Sequence, residues 1–390
     1  MMEKITFYDT TMRDGEQTIG VNFSIEDKVQ IAKALENYGI SAIEAGFPAA
    51  SDQDYEGVQQ VSLAVKNASV VGLARMVRKD IDAVIKSTQS AQHPMIHIFI
   101  ATSPIHREYK LHMTKKEIIN KVIEEVTYTK QFMNEIVFSP EDATRTEYHF
   151  LAEIIQVAID CGATMINLPD TVGYTTPEEY GEMFDYLKSH VKNFDQVRWS
   201  THTHNDLGMA TANALAGIAH GATEIQGTIN GIGERAGNVD IIEAAAAIHV
   251  RKQKFDKQTM ISLKQSKKIS DMVSSKTNMP IADNKPVTGR NAFAHESGIH
   301  QDGYLKRPET YEILSPESVG ATASLPLGKL SGSHAIMVKL SEMGYSISRD
   351  DMAYILPIFK KIAEKTNIVS DDEIKKMMQN FWSEKVVKNV

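Results

Sequence analysis

"SIEDKVQIAKALENYGISAIEAGF", residues 24–47, sets the reading of the whole fold. Ser24 caps a helix, Glu26 and Asp27 fill its first turn, and Gly39 ends it. The apolar run "AIEAGF" from Ala42 then reads as a strand. Seven more such runs flank it: "ITFYDT" from Ile5, "VVGLAR" from Val70, "MIHIFIA" from Met95, "EIVFSP" from Glu135, "TMINLPD" from Thr164, "VRWSTHTH" from Val197 and "EIQGTING" from Glu224. Successive starts lie 37, 28, 25, 40, 29, 33 and 27 residues apart, the repeat of a βα unit. The intervals hold helical patterns, such as "TKKEIINKVIEEVTYTKQF", where Thr114 and Glu117 stand at capping-box spacing. Eight units in about 250 residues predict a (β/α)8 TIM barrel over 1–255, with a doubly wound open sheet as the alternative. Beyond it the rhythm changes. "RKQKFDKQTMISLKQSKKISDMV" reads as a helix, 256–330 as a linker and lid-like subdomain, and 331–390 as a small helical subdomain.

Composition narrows the function. The net charge of −8 comes from 50 acidic and 42 basic residues without basic blocks, which argues against nucleic acid or an anionic membrane and for a small soluble partner. Cys161 is the single cysteine, so no disulfide framework, zinc ribbon or CxxC redox centre is expected. The amino terminus lacks the apolar core of a secretory signal, and no run of about 18 apolar residues occurs. A cytoplasmic protein is expected.

Reactive groups in such barrels sit at the carboxyl ends of strands. Here those ends are polar: Arg13 and Asp14, Glu44, Arg75, His97, Ser139 and Glu141, Asp170 and Thr171, His202 and His204, and finally "NGIGERAGN", residues 230–238. Strand residues i and i+2 share a face, so His202 and His204 both point inward if either does. They are either two metal ligands or two hydrogen-bonded interior histidines. Asp14, on a strand next but one in a closed barrel, favours the metal, and Asn238 could add a fourth ligand. Imidazole, carboxylate and amide without thiolate suit Mg2+, Mn2+ or Zn2+. Arg13 beside Asp14 suits a substrate that develops oxyanion charge, or a salt bridge in the mouth with Glu44.

The set "DTTMRDGEQ", "EAGFP", "GLAR", "HIFIATSPIHREYKL", "FSPEDATRT", "NLPDTVGY", "HTHNDLGMATAN", "NGIGERAGN" and "GRNAFAHESGIHQDG" resembles the 2-isopropylmalate synthases, over roughly residues 4–335. That family belongs to the barrel metalloenzymes that include homocitrate synthase, citramalate synthase and 3-hydroxy-3-methylglutaryl-CoA lyase. The resemblance implies a metal-dependent Claisen-type condensation of acetyl-CoA with 2-oxoisovalerate, followed by thioester hydrolysis. It implies Asp14, His202, His204 and Asn238 as metal ligands and Arg13 as the group that stabilises the alkoxide. Thr171 would hold the keto acid carboxylate, and Glu44, His97 and Ser139 would be substrate-binding. Glu141 would lie near the acetyl group. His300 and Tyr311, with His295 as the competitor for the histidine role, match an acid–base pair that in the family reaches over the site of a partner subunit, so a homodimer is implied.

Two departures qualify the resemblance. At 390 residues the chain is expected to lack the carboxyl-terminal leucine-binding domain of many relatives, so leucine feedback through it is not expected. The family's "GKHSGRHA" reads "GKLSGSHA" here, with Leu330 and Ser333 in place of a His and an Arg. Homocitrate or citramalate synthase, acting on another 2-oxo acid, is the nearest alternative, and a hydroxyacyl-CoA lyase or a non-catalytic binding barrel a more distant one.

Overall fold

The computed structural model describes residues 2–388, in two compact units that divide between Ile281 and Ala282; the sequence reading divides the chain in three, at 255 and 330. The first unit is built on eight parallel strands: β1 (Glu3–Asp9), β2 (Ala42–Gly46), β3 (Ser69–Arg75), β4 (Pro94–Ala101), β5 (Glu135–Glu141), β6 (Met165–Asp170), β7 (Arg198–Thr203) and β8 (Glu224–Gly227). They pair in chain order, and β1 closes the circle by pairing with β8 (Tyr8 opposite Gln226) and with β2 (Tyr8 opposite Ala42). The structure is a TIM barrel, as the repeat implied. Eight main helices cover it: α1 (Ile25–Tyr38), α2 (Asp52–Ala64), α3 (Arg78–Thr88), α4 (Lys115–Lys130), α5 (Tyr148–Asp160), α6 (Pro177–His190), α7 (Ala210–Ala219) and α8 (Ile241–Val250).

Local signals fix these boundaries. Ser24, Thr114 and Thr176 each form a reciprocal capping box with the acidic residue three positions on, which satisfies two helix-start N–H groups apiece. Gly39 ends α1 in the left-handed conformation. Strand alternation then sorts the core. Outward residues such as Phe7, Ile43, Ile96, Phe138 and Ile166 are fully buried beneath the helices. Inward residues Tyr8, Ala42, Val71, Met95, Val137 and Met165 form an apolar plug across the barrel. Two residues further along the strands, the inward positions become Leu73, His97, Ser139 and Asn167, so the interior turns polar one layer above the plug.

The stretch expected as one helix from Arg251 is three elements. A short turn at Lys252–Phe255 ends at Asp256, whose φ is 51°. A ninth strand, β9 (Lys257–Thr259), then pairs in parallel with the start of β1. Only after it does α9 (Ser266–Thr277) begin, tied to α1 by a 2.8 Å hydrogen bond between Ser266 and Tyr38 hydroxyls. Edge pairing with β1 satisfies backbone groups that the helix would have satisfied internally, so the helical periodicity was overridden by a tertiary partner. The second unit contains α10 (Gly298–Lys306), α11 (Ser333–Glu342), α12 (Arg349–Ala363) and α13 (Asp371–Lys388). Leu340, Ile355, Phe359 and Met378 centre its own core, so the extension is mainly helical, as expected. Among the described residues no helix is long and apolar enough to cross a membrane.

Candidate active site

Asp14, His202 and His204 meet at the carboxyl end of the barrel. Asp14 Oδ2 lies 3.3 Å from His202 Nε2 and 3.8 Å from His204 Nε2, and the two Nε2 atoms are 3.2 Å apart. All three residues are buried, and their ligand atoms lie within 4.8 Å of one another. Asn238 joins them through a backbone bridge to His204, and its Nδ2 donates to the Ile232 carbonyl, which fixes Oδ1 as the free end. Asp14 Oδ1 and Asn238 Oδ1 are buried with no protein hydrogen-bond partner among the described residues.

Such a gathering of unsatisfied buried acceptors is costly unless a cation completes it. Burial lowers the His204 pKa to about 4, with His202 adding to the effect, so the ring is neutral and able to ligate near pH 7. Burial opposes the charge on Asp14, but Arg13 and His202 outweigh it and hold the carboxyl well below its usual range. Two imidazoles, a carboxylate and an amide oxygen fit a divalent cation.

Beside this cluster runs an oriented hydrogen-bond chain. Glu44 accepts from Tyr8 Oη at 2.8 Å, Thr10 Oγ1 at 2.7 Å and Arg13 Nε at 2.6 Å, and contacts His97 Nδ1 at 2.7 Å. A carboxylate at Nδ1 places the His97 proton there, leaving Nε2 to accept from Ser139 Oγ at 2.6 Å. Ser139 in turn accepts from Asn167 Nδ2 at 2.8 Å, which also faces Gln226 Oε1 at 3.3 Å. Burial disfavours the Glu44 charge, yet Arg13 and His97 pull its pKa far down, while burial lowers that of His97. Arg13 also approaches Asp14 Oδ2 at 3.3 Å, so it bridges the chain and the cluster.

These groups surround a cavity of about 340 Å3. Arg13, Asp14, His97, Ser139, Glu141, Thr171, His202 and His204 all line it, together with the apolar Phe47, Leu73, Phe99 and Pro169. Glu44 differs from expectation: it is fully buried, its oxygens are taken by protein donors, and it grips Arg13 and His97 from behind rather than forming the wall. Thr171 Oγ1 accepts from the Asp142 N–H at 3.0 Å, which leaves its own proton for a ligand. Glu141 accepts from Lys110 Nζ at 2.6 and 2.8 Å. Lys110 belongs to a five-residue π-helical turn, Arg107–Leu111, after β4.

The second unit holds the remaining candidates. The rings of His300 and Tyr311 lie 4.4 Å apart, and His295 is 6.2 Å from Tyr311. His295 Nε2 also lies 3.6 Å from Glu312. Cys161 follows α5 and precedes β6, at the end of the barrel opposite the mouth.

Lys110, Asn167, Gln226, Asp206 and Arg235 were not singled out from the sequence. Inward alternation along β6 and β8 could have found Asn167 and Gln226, since each sits two residues from an inward neighbour. Nothing local marks Lys110 or the Asp206–Arg235 pair, whose partners lie in other loops.

The parallel eight-stranded barrel, with a carboxylate and two imidazoles gathered at its mouth, falls in the HMGL-like class: the HMGL-like family matches residues 4–273. The family described as homocitrate synthase post-HMGL domain-like matches residues 287–367. The chain is 52% identical over 378 residues to 2-isopropylmalate synthase of Streptococcus gallolyticus, covering 97% of this chain and 73% of that one. It is 50% identical over 384 residues to the same-named protein of Listeria monocytogenes, covering 98% and 75%. The chain belongs to the 2-isopropylmalate synthase family. Among solved structures, HMG-CoA lyase of Bacillus subtilis shares the fold at a TM-score of 0.61 and 17% identity, over 74% of this chain and 97% of that one.

Proposed function

We propose that the chain condenses acetyl-CoA with 2-oxoisovalerate to give 2-isopropylmalate and CoA. A methyl proton leaves the thioester, the carbon attacks the keto carbon, and water then releases CoA. A divalent cation held by Asp14, His202, His204 and the Asn238 amide oxygen supplies Lewis-acid polarisation of the keto carbonyl. The residues do the rest. Arg13, fixed by Glu44, presents its guanidinium where alkoxide charge develops. Thr171 donates to the keto acid carboxylate. Glu141 lies near the acetyl group, and His300 with Tyr311 supplies the acid–base pair, reaching over the site of a partner subunit in a homodimer. His97 and Ser139 spend their protons within the chain described above, so they shape the side-chain pocket without offering it charge.

The observation that carries the choice of keto acid is the wall of the cavity. Leu73, Phe99 and Pro169 supply apolar surface for a branched alkyl group. Each cation that lines the cavity already holds a carboxylate: Arg13 with Glu44, Lys110 with Glu141, and Arg235 with Asp206. The second carboxylate of 2-oxoglutarate would therefore be desolvated without a free partner. The test is thiol release from acetyl-CoA with 2-oxoisovalerate, pyruvate or 2-oxoglutarate, with Mg2+ or Mn2+ and after chelation. Chelator-sensitive release fastest with 2-oxoisovalerate is expected; preference for another keto acid would overturn the substrate, and no release with any would overturn the reaction.

A further inference from the structure

Two charged residues of the quoted motifs touch no reacting group in the steps above: Asp206 of "HTHNDLGMATAN" and Arg235 of "NGIGERAGN". The fold brings them together. Arg235 Nε and Nη2 donate to Asp206 Oδ1 and Oδ2 at 2.7 and 2.9 Å, a two-pronged pair of fixed geometry. The same Nη2 donates to the main-chain oxygen of Thr171 at 2.8 Å. One guanidinium thus touches the loops that follow β6, β7 and β8. Each of those loops delivers a group to the site, respectively Thr171, His204 and Asn238.

The backbone around the pair is shaped to permit it. Gly173, two residues beyond Thr171, has a φ of 59°, and a Cβ there would lie 2.7 Å from both Asp206 Oδ2 and the His204 carbonyl. The β6 loop therefore packs directly on the acidic partner. Arg235 itself has a φ of 55°, in the left-handed region where glycine, asparagine or aspartate rests with less strain. An arginine at that backbone position is explained by what its side chain holds, since the turn alone would favour a smaller residue. We infer that Asp206 and Arg235 are positioning residues: their ion pair clamps the β6, β7 and β8 loops in register and so sets the spacing of Thr171, His204 and Asn238. The inference rests on the metal-ligand reading given above.

The test titrates Mn2+ alone by calorimetry into the full chain and into Asp206→Asn, Arg235→Gly, the double variant and His204→Ala. Melting temperature, kcat and keto acid KM are measured alongside. Arg235→Gly relieves the left-handed strain, so it is expected to melt at or above the parent temperature while its Mn2+ dissociation constant and keto acid KM rise about tenfold or more, the usual effect of losing a residue that orients ligands. The double variant should bind no worse than its weaker single parent, because the two side chains act as one unit. Parental Mn2+ binding by Arg235→Gly would overturn the clamp, and so would a fall in melting temperature that tracks the loss of binding in every variant. The His204→Ala variant separates the two ideas. Loss of Mn2+ there with retention in Arg235→Gly sinks the clamp alone, whereas retention in both sinks the metal reading beneath it.

Discussion

Glu44 is tied to four groups at once, and two of them, Arg13 and His97, line the cavity. Glu44→Gln removes the charge that fixes Arg13, so kcat should fall by about 100-fold, the range seen when a preorganised donor to developing charge is lost. Mn2+ binding in that variant should persist, since the ligands are untouched; loss of both together would show that Glu44 supports the cluster itself. His202→Ala and His204→Ala should each abolish tight Mn2+ binding and turnover, measured by titration and thiol release. Asp9 offers a different prediction. Burial raises its pKa to about 7, against the two hydrogen bonds it accepts from Thr11. The unfolded chain ionises this carboxyl near 3.8, so between there and about 7 it binds fewer protons than the folded chain. Stability from this group is therefore full below about pH 4 and falls as pH rises to about 7. Asp9→Asn should remove that slope and gain about 1–3 kcal/mol at pH 8 over the parent, checked by urea unfolding at pH 5 and pH 8. An equal gain at both pH values would mean that Asp9 is ionised throughout.

The elements themselves are encoded locally. Replacing Ser24 by Ala breaks the capping box of α1 and should cost about 1 kcal/mol in urea unfolding with keto acid KM unchanged, because that helix end is exposed and belongs to no ligand loop. A change in KM would instead couple α1 to the mouth. This local encoding is why all eight strands were legible: period-two apolar runs and caps need no partner to be read. It is also why Asp14, His202 and His204 could be placed, since a residue's seat at a strand end follows from the repeat. What was not legible depends on partners distant in sequence. The β9 strand exists because β1 has a free edge at Glu3–Ile5, and no pattern within Lys257–Thr259 announces it. The resemblance implies Glu44 as substrate-binding, yet its oxygens are taken by donors from β1, β4 and the loop carrying Arg13, the salt bridge with Arg13 among them. Lys110 and Arg235 were missed for the same reason.

At the scale of the molecule, the candidate groups fall in two units: the ligands and Arg13 in residues 1–281, His300 and Tyr311 in residues 282–390. If a homodimer shares them across subunits, mixing equal amounts of His202→Ala and His300→Ala chains should restore about a quarter of parental activity, since half the dimers are hybrid and each hybrid has one intact site. No recovery after confirmed subunit exchange would place both groups in one chain. The seam of the barrel carries a last consequence, for biosynthesis. β1 is made first, yet one of its edges waits for β8, whose final residue is Gly227. At ordinary elongation rates of about 5–20 residues per second, the ribosome needs roughly 10–40 seconds between completing the second strand and the eighth. Throughout that interval the β1 edge that ends up against β8 lacks its native partner, and an unpaired edge of that kind is a template for pairing with another chain.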